Sequence, residues 1–164
     1  MNIHFREVIQ SDLNKFSEWY GRIGGSNLFS NFIPSTFVSF EESKELLWFI
    51  ILDDDEEIGT IWFERKGLDM ASYDMGIYLN RTDFFGKGIG RTVIKLAIDS
   101  IISPKNVKEL YLDVRNGNMR AKRCYESLGF RTVHLWEKHT ESGEIKANRM
   151  KLSVGEEPHR TKMM

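Results

Sequence analysis

The sequence predicts an α/β (α+β) fold on three observations: strand-like runs paired across an acidic turn, a long helical stripe leading into another strand, and a closing hairpin around a glycine. The run Ile3-His4-Phe5-Arg6-Glu7-Val8 alternates as a half-buried strand does. Ser11 or Asp12 then caps a helix with Leu13, Phe16 and Tyr20 near one face, which the glycines of residues 21–27 stop. In residues 26–44, Phe29, Phe32, Ile33, Phe37 and Phe40 follow no clean period, which predicts an irregular or short-helical segment forming one wall of a pocket. Apolar runs at 46–52 and 58–65 flank the acidic residues 53–57 and predict an antiparallel hairpin. The acidic run lacks calcium-loop spacing and its glycine, so a solvated turn is expected. Residues 73–80 read as a strand. From Ile89, the residues Val93, Leu96, Ala97, Ser100 and Ile101 recur at helical spacing, widened by Ile94 and Ile98, with Pro104 beyond the end. In the strand 109–115, Leu110, Leu112 and Val114 share one face, and Tyr111 and Asp113 the other. A helix over 119–128 ends at Gly129, and runs 130–139 and 145–154 close a hairpin around Glu141-Ser142-Gly143.

The composition excludes several classes. A chain of 164 residues with 41% hydrophobic and 29% charged residues suits one ordinary globular domain, expected over residues 1–154, with a polar, frayed tail at 155–164. A formal net charge of −1 and the lack of a basic, aromatic-studded stripe argue against a nucleic-acid partner and against an anionic membrane. The polar start is unlike a signal peptide, and no stretch approaches the roughly 20 apolar residues of a membrane span. The single cysteine, Cys124, leaves no internal disulfide and suits a reducing cytoplasm. It is expected as a packed thiol, because no His–Asn constellation surrounds it. His4, His134, His139 and His159 lack zinc-site spacing, and no metal is expected.

Two segments carry chemistry. Phe85-Gly86-Lys87-Gly88-Ile89-Gly90 lies between a strand and the long helix. Its glycines permit a tight turn with N–H groups close to an anion, and the helix adds the positive end of its dipole. Lys87 and Arg91 add charge. A Walker A loop is excluded because Gly88 follows Lys87 and Arg81 stands where a glycine is required. A dinucleotide fingerprint is excluded because its third glycine would fall at Arg91. In the second segment, residues 118–130, Ala121 and Tyr125 share a helix face, so a ligand can approach the backbone beside a phenol. Asn118 can cap this helix or donate its amide.

Taken in order, the strand 74–80, the loop 85–90, the strand 109–115 and the segment 118–130 resemble the GNAT acetyltransferase superfamily. Its loop pattern Arg/Gln-x-x-Gly-x-Gly/Ala is met by residues 85–90 except at Phe85, where the family carries Arg or Gln. Its signature Asn-x-x-Ala-x-x-x-Tyr-x-x-x-Gly-Phe is met by Asn118, Ala121, Tyr125, Gly129 and Phe130. The resemblance implies a mixed central sheet of about seven strands flanked by about four helices. It implies acetyl-CoA as co-substrate and direct acetyl transfer to a primary amine of a small molecule or protein. A non-catalytic acyl-CoA-binding sensor of the same fold is the alternative.

On this resemblance, Phe85, Gly86, Lys87, Gly88, Ile89, Gly90 and Arg91 cradle the pyrophosphate, Lys87 or Arg91 supplying the charge that Phe85 lacks. The edge at Ile77, Tyr78 and Leu79 pairs with the pantetheine arm and polarises the thioester carbonyl. Asn118, Ala121 and Tyr125 complete the cofactor site, with Tyr125 as general acid. The base is Asp74, Glu64 on the neighbouring strand, or a water chain. The acceptor stays open between a small amine, an aminoglycoside-like compound, a polyamine and a protein N-terminus. Phe29, Phe32, Phe37, Trp48, Trp62 and Trp136 are candidate pocket walls, with most of them expected in the core, and homodimers are common in the family.

Overall fold

Seven strands and three α-helices are formed by the residues that the computed structural model describes, 1–28, 31–43, 45–67 and 69–155. Strands β1 (Ile3–Glu7), β2 (Leu47–Asp53), β3 (Glu56–Glu64) and β4 (Ser72–Leu79) are successive antiparallel neighbours. Strand β5 (Glu109–Arg115) lies parallel to β4, and β7 (Gly143–Ser153) pairs antiparallel with β5 and with the edge strand β6 (Arg131–Thr140). The spatial order is therefore β1-β2-β3-β4-β5-β7-β6 in a mixed sheet. A parallel pair needs a crossover, and α2 (Ile89–Ala97) supplies it between β4 and β5.

Each face of the sheet buries its own core, because side chains alternate along every strand. On one face Ile61, Phe63, Met75, Ile77, Leu110 and Leu112 pack against Val93, Ile94 and Ala97 of α2 and Tyr125 of α3 (Met119–Ser127). On the other, Trp48, Ile50, Trp62 and Tyr78 pack against Phe16 and Trp19 of α1 (Leu13–Arg22). Among the described residues no helix is long and apolar enough to cross a membrane.

Three local expectations need correction. The helical stripe does not run unbroken to Ile101: α2 ends at Ala97 and a π-turn spans Ile98–Ile102. Leu96 already faces solvent within α2, and beyond it the wider turn rotates the register, so Ser100 faces solvent and Ile102 is buried. About four helices were expected, whereas three α-helices form among the described residues; the described part of residues 31–43 is irregular, one of the two forms expected of it. Asp12 occupies the N-cap position of α1, as expected, but its side chain makes no capping bond there. Its buried carboxylate turns back to the Ile9 N–H at 2.8 Å and to Arg6 and Lys15, each at 2.8 Å.

Glu57, placed by sequence in a solvated acidic turn, closes this network through Arg6 at 2.7 Å and Lys15 at 2.9 Å. The cluster thereby ties β1 and α1 to β3. The hydrogen bond from Arg6 holds the Asp12 carboxyl well below the usual carboxylate range. A group depressed in the folded state stabilises above its unfolded pKa, near ~4, and that contribution is lost as pH falls below it.

Candidate active site

Strands β4 and β5 part company soon after they meet. They pair only at Ser72–Glu109, Tyr73–Leu110 and Asp74–Tyr111. Beyond Asp74, β4 continues to Leu79 paired with β3 alone, while β5 stays paired with β7. The edge of β4 from Met75 to Leu79 therefore faces a gap in the sheet with unpaired backbone groups. Such an edge accepts another extended chain.

A cavity opens on each side of this gap. One, of about 130 Å³, is lined by Ile77, Tyr78 and Leu79, by Phe85, Gly86 and Gly90, and by Asn118, Arg120, Ala121, Cys124 and Tyr125. The other, of about 250 Å³, is lined by Trp62, Glu64, Asp74, Gly76, Asp113, Arg115 and Trp136 among others. Ile77, Tyr78 and Tyr125 line both. Trp62, Glu64, Asp74 and Gly76 belong to the sheet face that carries α1, whereas α3 packs on the opposite face and Phe85 touches the cores of both. The two cavities thus approach the same gap from opposite faces.

On the α2 side, Gly86 and Gly88 have φ of 75° and 77°, a left-handed backbone that only glycine adopts freely. An added Cβ at Gly86, Gly88 or Gly90 would meet nothing within 4 Å, so the loop presents open backbone. Gly88 is the N-cap of α2, and Thr92 closes the first turn onto the Gly88 carbonyl at 3.1 Å. Lys87 is exposed, and Arg91 is drawn toward α3 by a 3.2 Å bond from Nε to Ser127 Oγ. The apolar Phe85 has a defined role here: the Arg120 guanidinium lies 4.0 Å from the centre of its ring. The ring holds a cation beside the glycine loop. Sequence reasoning missed Arg120, whose only signal is its place in the first turn of α3.

Asn118 is the N-cap of α3, accepting from the Ala121 N–H at 3.4 Å, while its buried Nδ2 has no partner among the described residues. That donor sits in the lining of the smaller cavity. Tyr125 is buried and packs edge-on against Phe130, ring centres 5.9 Å apart. Burial pushes its phenol above the ordinary value, so it stays protonated at neutral pH. Burial also pushes the Cys124 thiol up, with Arg91 and Arg120 opposing, which keeps it a poor nucleophile. Among the described residues no group of three or more His, Cys, Asp or Glu side chains is placed to hold a metal ion.

On the α1 side, Asp74 and Glu64 are cross-strand neighbours with different partners. Both oxygens of Asp74 are taken by the fork of Arg149, at 2.9 and 3.0 Å. Glu64 is 1% exposed; its Oε1 accepts from Ser35 at 2.6 Å and its Oε2 has no partner among the described residues. Lys66 stands 3.7 Å from each carboxylate. Trp62 lies across the backbone of Gly76, where any Cβ would collide with the indole. Trp136 lines the cavity with its indole N–H on Asp113 at 2.9 Å. Trp48 instead bonds Thr60 in the core at 2.9 Å, and Phe32 and Phe37 pack around that core. Phe29 and His159 lie outside the described residues, as does the tail from residue 156.

Residues 3–131 match the profile of the family described as acetyltransferase (GNAT) domain. A spermine/spermidine N(1)-acetyltransferase of Bacillus subtilis (strain 168) is 26% identical over 104 residues, 63% of this chain. The match covers 55% of that relative, so the chain spans about half the length of the curated relative it matches. Among solved structures, an aminoglycoside acetyltransferase in complex with coenzyme A superposes with a TM-score of 0.73 at 19% identity, over 93% of this chain and 95% of that one. A spermidine N-acetyltransferase from Vibrio cholerae in complex with CoA and spermine gives 0.72 at 21%, over 93% and 95%. These two likenesses establish the fold, and the profile match establishes the family: the chain belongs to the GNAT acetyltransferases.

Proposed function

We propose that residues 1–154 form one acetyltransferase domain that moves the acetyl group of acetyl-CoA directly onto a primary amine of a small molecule. The observation that carries this reading is the gap between β4 and β5, reached by a cavity from each face and bordered by Tyr125 in both. Relatives in complex with CoA, one of them with spermine as well, support a thioester donor and an amine acceptor.

The chain's residues divide the work. The loop from Phe85 to Arg91 and the α2 N-terminus hold the pyrophosphate, and Asn118 Nδ2 and the β4 edge at Ile77–Leu79 hold the pantetheine amides. An N–H of that edge polarises the thioester carbonyl. Sequence put Asp74 first as base, but the Arg149 fork engages both its oxygens, and the geometry favours Glu64. Glu64 accepts one proton from the acceptor ammonium and releases it to solvent. The nitrogen–carbon bond forms as the carbon–sulfur bond breaks, and Tyr125 gives its phenolic proton to the departing sulfur. The second proton lost by nitrogen restores Tyr125. One amide, one thiol and one released proton balance the reaction.

Arg120, seated on Phe85, takes the place of the cation that the loop lacks. Arg120→Ala is expected to weaken acetyl-CoA by about tenfold, about 1.4 kcal/mol, and to leave S-acetyl-pantetheine, which has no phosphates near this loop, unaffected. Equal losses for both donors would remove this role. The reading as a whole is tested by thiol release from acetyl-CoA across a broad amine panel, with the acetylated amine identified by mass. Binding of acetyl-CoA without thiol release from any amine would favour the sensor alternative.

A further inference from the structure

The larger cavity carries a charge pattern that bears on which amine enters it. Three carboxylates line it, Glu64, Asp74 and Asp113, together with two cations, Lys66 and Arg115. Behind them Arg149 bridges Asp74 and Asp113, at 2.9 and 3.0 Å, and so satisfies both at once. Asp113 is further occupied by the Trp136 indole N–H at 2.9 Å. The carboxylates are thus matched in number by cations, and among the described residues a single acceptor atom of theirs remains open, Glu64 Oε2.

An opposite vacancy lies in the same lining. Arg115 donates from Nη1 to the Ser26 carbonyl at 2.6 Å, while its buried Nε has no partner among the described residues. Glu64 and Arg115 both belong to the sheet face that carries α1, the first by its pairing with Asp74, the second by alternation with Asp113 and Tyr111. Glu64 is buried and Arg115 half-buried, and a charged group left one hydrogen bond short costs more than a neutral one, so each of these atoms favours a ligand group of opposite charge.

Resting on the acetyltransferase reading above, we infer that the acceptor is an amine that also carries an anionic group, its ammonium at Glu64 and its carboxylate or equivalent at Arg115. A polyamine or aminoglycoside brings three or more positive charges. It would find one open carboxylate oxygen, two carboxylates already bridged by Arg149, and repulsion from Lys66 and Arg115. A zwitterion is neutral overall, meets both open atoms and leaves the cavity's charge balance intact.

The test uses the full chain with acetyl-CoA and acceptors in matched pairs: butylamine with 4-aminobutyrate, hexylamine with 6-aminohexanoate, isoamylamine with leucine, and spermidine alone. Thiol release gives kcat/KM, and calorimetry with CoA present gives acceptor binding separately from turnover. In at least one pair the acid-bearing member is expected to exceed its plain partner by tenfold or more and to exceed spermidine. Arg115→Gln should bring that ratio near one, and Lys66→Gln, on an exposed side chain, should lower it if Arg115→Gln does not fold. Turnover of spermidine or plain amines without this preference overturns the inference and leaves the acetyltransferase reading standing. Failure of every acid-bearing amine to bind in the presence of CoA also overturns it. Failure to bind acetyl-CoA at all overturns the broader reading instead.

Discussion

Tyr125→Phe is expected to lower kcat by about 10²- to 10³-fold while the acetyl-CoA dissociation constant changes by no more than about twofold, the size of effect that loss of a general acid gives. The substitution removes one oxygen and nothing else. The ring keeps its edge-on contact with Phe130 and its place in the core with Val93 and Ile94, so folding should be little affected. Burial holds the phenol above its ordinary pKa near ~10, and it therefore carries its proton throughout the neutral range. The wild-type rate should show no alkaline decline from this group below about pH 10. Steady-state kinetics beside an acetyl-CoA titration separates the two quantities. Unchanged kcat would show that another group, or water, protonates the sulfur.

Glu64→Gln is the second large effect: kcat/KM for the acceptor is expected to fall by about 10²- to 10³-fold with acetyl-CoA affinity retained. Gln keeps the shape and can still accept from Ser35 Oγ, which bonds Glu64 Oε1 at 2.6 Å, so the wall formed by residue 35 stays in place. What disappears is the charge proposed to receive the ammonium and its proton. Asp74→Asn is the informative control. Asp74 holds Arg149, whose own proton it secures through their hydrogen bond. A larger loss from Asp74→Asn than from Glu64→Gln would return the role of base to Asp74.

Local signals carried most of the fold and the cofactor half of the candidate site. Strand β5 was legible residue for residue over 109–115, because its apolar positions alternate without interruption and glycine or charge flanks it. The glycine loop and the α3 segment were legible as a turn before a helix and a helix ending at Gly129, and their reading as a cofactor site came from the resemblance. The π-turn after Ala97 was not, since Ile98, Ile101 and Ile102 satisfy a helical stripe as well as a wider turn. The acceptor side was least legible because its contacts are remote in the chain. Arg149 reaches Asp74 across 75 residues and Ser35 reaches Glu64 across 29, and neither pairing exists until strand register brings them level. Arg120 on Phe85 is of the same kind: the departure from the family's loop pattern was visible, but the cation that answers it came from another helix.

Thermal melting with and without acetyl-CoA tests the central claim most directly. The loop at Gly86 and Gly88, Arg120, Asn118 Nδ2 and the free β4 edge together predict a stable complex. Acetyl-CoA at a hundred times its dissociation constant should stabilise the fold by about 2.7 kcal/mol, read as a clear upward shift of Tm. A melting curve that neither acetyl-CoA nor CoA moves at millimolar concentration would contradict the account.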